Sequence, residues 1–323
     1  MDAIINYFTS LNPMNFVTAL PGNIAQGIIW GIMAIGVFIT FKLLNFADLT
    51  VDGSFATGGA VTAMLLMAGC PCWIAILVAI LAGLLAGLIT GLLHTLLGIP
   101  DILAGILTQI ALWSINLNIM GKANQTINGR KYALVLQSGN TTMAIIIGLA
   151  IAAIVIAALY WYFGTEQGSS IRATGCNPNM SKAQGININV TKVIALSLSN
   201  AIVAFAGSLF AQYQGFADIN MGRGSIVIGL AAVIIGQVLG DAIFKKHMNF
   251  ILRLVFVVVG GIIYYIAMGI VLWLKMPSDD LKLFTAVIVA IFLAFPYLQN
   301  KAKNSFSKVA KQNAKNASAE GEK

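Results

Sequence analysis

Apolar residues in this chain fall in long blocks, and the blocks are bounded by polar clusters or by Gly and Pro. Roughly 20 apolar residues in a row are what a helix needs to cross a hydrocarbon core. On that criterion spans are predicted near residues 22–44, 54–69, 72–97, 101–120, 142–163, 192–213, 225–243, 250–274 and 283–298. The fold class that follows is all-α: a polytopic transmembrane helical bundle of about nine spans, within a range of about eight to ten.

Two features inside these blocks say more than hydropathy. Small residues recur at every fourth position, as at Gly27 and Gly31 and at Gly83, Gly87 and Gly91. This spacing makes a smooth stripe that lets backbones approach where lipid supplies no hydrophobic drive for association. The other feature is a polar interruption from Asn45 to Gly53, which reads as a broken helix near residues 45–53 inside the membrane. Phe46-Ala47-Asp48-Leu49, followed by Gly58-Gly59, is echoed 170 residues later by Phe216-Ala217-Asp218-Ile219, with Gly229 opposite Gly59. With an odd number of spans the two copies face opposite sides, the pattern of an inverted repeat, whose matching polar breaks point to a translocation path.

Composition agrees with a membrane protein. Only 9% of the 323 residues are charged and 59% are hydrophobic, whereas a soluble domain carries about 25% charged residues. The net charge of +8 comes largely from Lys301, Lys303, Lys308, Lys311, Lys315 and Lys323, set among Asn, Ser and Ala. Residues 299–323 therefore read as a disordered cytoplasmic tail beside anionic lipid, and residues 1–298 as the transmembrane domain. Nucleic acid is not an expected partner, because only Phe306 interleaves the tail charges. Counting Lys and Arg puts Lys42, Arg172, Lys182, Lys192, Lys245, Lys246, Arg253 and the six tail lysines inside, and Lys122, Arg130, Lys131, Arg223, Lys275 and Lys282 outside. Without the tail the split falls from 13:6 to 7:6, so the orientation rests on the C-terminal lysines. Residues 1–20 lack a basic region and a small-residue cleavage site, so the first apolar block is expected to be retained as a span.

Chemistry-bearing groups are scarce. Cys70 and Cys72 flank Pro71, too close for an ordinary disulfide, and Cys176 stands alone. With two histidines, His94 and His247, no metal-ligand set is expected and no cofactor is assigned to this chain. There is no nucleotide-cradling Gly-Lys-Ser/Thr loop, no nucleophile beside a base and no carboxylate pair placed for acid–base work. The expectation is a transport subunit that is not an enzyme, with any ATP and Mg held by a partner. The most polar internal segment, Gly164 to Thr191, must lie outside the hydrocarbon. Its core, Ile171 to Gly185, is predicted to form one or two short helices parted at Asn177-Pro178.

Three blocks resemble one family, the permeases of bacterial ATP-binding-cassette importers of the branched-chain amino acid and simple-sugar type. They are Gly27 to Val61, with its Asn-Phe-Ala-Asp-Leu-Thr-Val-Asp-Gly-Ser turn; Ile171 to Val190, reading IRATGCNPNMSKAQGININV; and Met221 to Gly240, reading MGRGSIVIGLAAVIIGQVLG. The resemblance runs from about Gly22 to Pro296. It implies that the middle block is a coupling helix inserting into a groove of the ATPase, which selects Arg172, Gly175, Asn177, Pro178, Ala183, Gly185 and Ile186. Arg172 would make a charged docking contact, and Gly175 and Gly185 would permit tight turns.

The first block implies a broken span lining the path, with Asn45, Phe46, Asp48, Thr50 and Asp52 as candidates. Intramembrane carboxylates are costly unless they serve or are paired. The competing reading is that both aspartates cap the next helix at the interface. The resemblance further implies ATPase subunits, an extracellular or periplasmic substrate-binding protein, a second permease copy, surrounding lipid and a bacterial plasma-membrane location. Where the branched-chain branch has His-Gly after Asn-Phe-Ala, this chain has Asp48-Leu49, which leans toward a subgroup for aromatic amino acids, with branched-chain amino acids next. The alternative is an ion-coupled secondary transporter using Asp48 or Asp52.

Overall fold

The computed structural model describes residues 13–129, 131–244 and 248–274, together with positions 283, 286, 287, 290, 291 and 294. Those six positions are helical. The rest of the predicted span 283–298 and the Lys-rich tail lie outside the described residues.

Helix α1 (Pro13–Phe38) runs into a π-helical turn at Ile39–Leu43. It starts earlier than predicted because the helix continues through Pro21, which sequence reading took as a boundary. The chain is unwound over residues 44–49 and resumes as α2 (Thr50–Met67), so the break is shorter than the polar stretch suggested. Then come α3 (Cys72–Thr95), α4 (Asp101–Met120), strand β1 (Asn124–Thr126) and α5 (Thr141–Phe163). The polar segment forms α6 (Glu166–Cys176) and α7 (Pro178–Ala183). After it follow α8 (Ile188–Gln214), strand β2 (Phe216–Asp218), α9 (Ser225–Phe244) and α10 (Phe250–Trp273). Among the described residues seven helices are long and apolar enough to cross a membrane: α1 with its π turn, α3, α4, α5, α8, α9 and α10. Helix α2, predicted as a span, is not among them. It carries Asp52 and seven Gly, Ser or Thr residues, and it lies almost wholly buried among its neighbours.

Local sequence explains the helix ends. Asn140, Thr165, Asn177 and Asn187 each cap the helix that follows, accepting a hydrogen bond from a backbone N–H two or three residues into it. Helices α4 and α8 end on Gly121 and Gly215 in the left-handed conformation.

Packing follows the internal echo. The two most extensive interfaces are α3 on α8 and α10 on α1, and α2 on α8 is matched by α9 on α1. Gly36 meets Ser199 and Val203 while Gly22 lies near Tyr213, so α1 and α8 run antiparallel. Ser54, Gly58 and Thr62 meet Asn200, Ala204 and Ser208 in constant register, so α2 runs parallel to α8. The corresponding first helices of the two halves thus point opposite ways, and the two breaks lie at opposite ends of the bundle. At one end Gly175 touches Leu43 and Leu44. At the other, β2 pairs antiparallel with β1, Thr126 opposite Phe216.

The glycine stripes work as close-approach surfaces. A Cβ at Gly83 or Gly87 would strike the backbone of α8 at Asn200 or Leu196, and one at Gly27 or Gly31 the backbone of α10. Larger residues fill the centre: the Trp30 ring lies 4.8 Å from Phe55, 5.4 Å from Phe210 and 5.7 Å from Tyr265, tying together α1, α2, α8 and α10. Facing outward, α3 and α5 present large apolar side chains, with Trp73 near one end and Tyr160 and Trp161 near the other, as expected of lipid-facing helices with interfacial aromatics.

Gly58 is the tightest test of this packing, because an added Cβ would fall on the Ala204 carbonyl. Gly58→Val is expected to cost at least about 2 kcal/mol through overpacking against backbone that cannot yield. Thermal unfolding of the detergent-purified protein reads this as a lowered midpoint, whereas Gly139→Ala, with open space around it and no left-handed backbone, serves as the mild comparison.

Candidate functional site

The break at residues 44–49 sits between the π turn and α2, and its backbone is held at both ends. Leu44 N–H donates to Ile39 O at 3.0 Å and Phe46 N–H to Thr40 O at 2.9 Å. Asn45 is exposed and adopts φ +56°, a left-handed conformation that asparagine tolerates better than most residues. Phe46 is buried edge-on against the His94 ring, 5.0 Å between centroids.

Asp48 is 2% exposed. Its carboxylate accepts the Thr50 N–H at 2.9 Å through Oδ1 and the Asn200 amide at 2.7 Å through Oδ2. Asn200 in turn accepts from the Ser54 hydroxyl at 2.6 Å. Thr50 closes a second chain of hydroxyls, Thr50 to Thr90 at 2.7 Å and Thr90 to Thr108 at 2.9 Å, which joins α2, α3 and α4. Asp48 and Thr50 are therefore enclosed by protein, and the hydrogen bonds account for the aspartate's presence.

Asp52 behaves differently. Its Oδ2 accepts the Gly224 N–H at 2.9 Å, and its Oδ1 accepts from the Ser225 hydroxyl at 2.8 Å and the Ile226 N–H at 2.9 Å. Asp48 thus accepts the first N–H of α2, the next helix, as the capping alternative has it, whereas Asp52 caps α9, more than 170 residues away. A carboxylate at a helix N-terminus satisfies orphan donors and complements the helix dipole.

Beside this cap lies a cavity of about 330 Å³, lined by Asp52, Gly53 and Ala56 of α2, by Gln109, Ile110, Trp113 and Asn116 of α4, and by Ile219 and Arg223 of the segment entering α9. Of the five predicted path residues, only Asp52 faces it. Arg223, counted on the outer side, is exposed in the turn before α9 and lines this cavity beside Asp52. Asn116 is 0% exposed, and neither its amide oxygen nor its nitrogen has a hydrogen-bond partner. Leaving such groups unpaired costs about 1–3 kcal/mol. Sequence reading missed Asn200, Thr90, Thr108, Gln109, Trp113 and Asn116. The available signal was Gln109 and Asn116, two amides seven residues apart inside an apolar block.

The polar segment is built as predicted in its middle and is longer at its start. Asn177 ends α6 and caps α7, accepting the Met180 N–H at 3.1 Å, with Pro178 as the first residue of α7. Gly185 has φ +83° and turns the chain toward α8. Gly175 makes no turn: it lies within α6, where a Cβ would strike the Leu43 carbonyl, so its smallness seats α6 on the end of the π turn. Arg172 donates to Phe163 O at 2.9 Å and lies over the Phe250 ring, anchoring α6 to α5 and α10. Ala183 is exposed and Ile186 half-buried.

Removing Asn200 would leave the buried Asp48 carboxyl short of a hydrogen-bond partner, so Asn200→Leu is expected to destabilise the protein by about 1–3 kcal/mol. Asp52→Ala, which loses a cap, should cost about 1–2 kcal/mol. A thermal-midpoint series with Asp48→Asn as the neutral comparison tests both, and equal midpoints for Asn200→Leu and wild type would dismiss the paired-carboxylate account.

Comparison with known proteins follows the same lines. A profile described as "Branched-chain amino acid transport system / permease component" matches residues 22–296. A tyrosine transport system permease protein of Clostridioides difficile is 40% identical over 88% of this chain and 93% of its own length. An uncharacterized protein of Rickettsia prowazekii is 32% identical over 83% and 94%. The D-allose transport system permease protein of Escherichia coli is 27% identical over 80% and 78%. The ion-coupled alternative finds no support among them. With its seven membrane-length helices, this chain is a multi-pass membrane protein and belongs to the family of branched-chain amino acid transport system permease components.

Proposed function

We propose that this permease subunit imports an amino acid, with aromatic side chains favoured and branched-chain ones next, by alternating access driven by separate ATPase subunits. A substrate-binding protein delivers the solute from outside, two copies of this chain form the transmembrane unit, and ATP with Mg is held by the partner ATPases. The aromatic preference is supported by the likeness to a tyrosine permease at 40% identity. The path is supported by α4, which carries the exposed polar residues Ser114 and Asn118 and a half-buried Gln109 lining the cavity, unlike the apolar outer face of α5. Lipid does not solvate such groups.

The observation that carries the coupling is the two-sided seating of the polar segment. Its outward side, Asn177 to Gly185, is exposed apart from Ser181, with Lys182 and Met180 projecting. Its inward side presses Gly175 against Leu43 and Leu44, where the chain leaves α1 for the break that carries Asp48. A partner that grips α7 therefore pushes directly on that break, and a bistable segment biased by ATP binding would open one side of the bundle or the other.

Vesicles containing the permease, its ATPase and its binding protein should take up a labelled aromatic amino acid only with ATP, and permease alone should be inert under an ion gradient. Gly185→Trp and Arg172→Glu should lower coupled uptake by roughly tenfold, a loss of about 1.4 kcal/mol in coupling, while the protein still inserts. Unchanged uptake in both variants would remove the coupling assignment.

A further inference from the structure

We infer that the cavity between α2, α4 and the segment entering α9 is a substrate-reading station in the path, with Arg223 receiving the amino acid's carboxylate, Trp113 its aromatic ring and Asn116 a hydroxyl on that ring. This rests on the proposed reading of the substrate as an aromatic amino acid. The argument starts from Asn116. A buried amide with neither atom bonded is an expense that a merely structural helix avoids by carrying leucine. Asn116 is in the lining of the cavity but fully enclosed in its wall, so a ligand group in the cavity meets its unused donor and acceptor once that wall gives slightly. A phenolic hydroxyl is both donor and acceptor and satisfies both atoms of the amide.

The remaining lining residues complete the complement. Gln109, Trp113 and Asn116 are spaced four and three apart and so share one face of α4. Trp113 is half-open to the cavity and offers a flat surface for a ring. Arg223 is exposed, and among the described residues its guanidinium has no hydrogen-bond or ion-pair partner, which leaves its planar fork free for a carboxylate. Asp52 is not free: both oxygens are committed to the entry of α9, one to three residues beyond Arg223. Its part is to position Arg223 at the cavity wall. A pocket that pairs a polar tip with a hydrogen-bonding group rejects the analogue lacking that tip, because the amide is then left unpaired.

The test uses the whole transporter in vesicles, comparing tyrosine with phenylalanine. The binding protein is the same in every arm, so a changed ratio reports the permease. Asn116→Leu should lower tyrosine uptake roughly tenfold while phenylalanine falls less than about twofold. It should also raise the thermal midpoint, because the unpaired amide is gone. Arg223→Gln, at an exposed side chain, should raise KM for both substrates by about tenfold and decides the matter if the leucine variant does not assemble. An unchanged tyrosine-to-phenylalanine ratio in Asn116→Leu, or wild-type KM in Arg223→Gln, overturns the station and leaves the importer reading standing. Failure of the wild type to move any aromatic amino acid overturns the substrate reading itself.

Discussion

A chain that unwinds inside a bilayer must find a partner for every backbone group it frees, since no water is there to supply one. Here two carboxylates, four residues apart, meet that demand. Asp48 takes the first N–H of α2 together with the amide of Asn200. Asp52 takes the first N–H groups of α9. The broken span and the helix that begins in the other half are thus fastened by neighbouring residues of a single short segment. Any force that reaches residues 44–49 reaches both halves of the bundle.

The polar segment formed by α6 and α7 is fastened to the same break. Helix α6 is pinned past its middle by Arg172 to the end of α5, and near its finish by Gly175 to the end of the π turn. Only six residues separate Leu43, which Gly175 touches, from the first residue of α2. Close packing transmits displacement because interiors are dense and compress little. The exposed α7 and the enclosed Asp48 are therefore two ends of one short lever, and the cavity beside Asp52 lies just past its far end.

What could be read from sequence follows the physics of each signal. Hydropathy marks α4 to the residue at both ends, because its block is bounded by Pro100-Asp101 and by Gly121, which each act locally. It marks α2 less sharply, because its small and polar residues suit a helix surrounded by other helices rather than by lipid. The Asn177-Pro178 break was visible because capping and proline chemistry are local. The roles of Asp52 and Arg223 were not, since both depend on a contact across more than 170 residues. Asn200 likewise sits in an apolar block with nothing nearby in sequence to mark it as the partner of Asp48. Gly175 was read as a turn because glycine's freedom and glycine's smallness look alike in a sequence.

The internal echo explains why that long-range contact exists. Applying the same spacing of 170 residues to Asp52 leads to Gly222, and Gly222 lies directly against the Asp52 backbone, where a Cβ would strike its carbonyl. Equivalent positions of two antiparallel halves meet only near the axis that relates them. A symmetric sequence would bring two aspartates face to face there, and like charges at that separation inside a membrane are unaffordable. Glycine in the second copy resolves the conflict twice over. It removes the repelling carboxylate, and it brings the start of α9 near enough for the surviving one to cap. The same asymmetry leaves Asp218, the counterpart of Asp48, partly exposed and bound locally to the Asn220 N–H at 2.7 Å. The first half supplies Asp52, the second supplies the helix start that Asp52 caps, and the cavity opens at that junction.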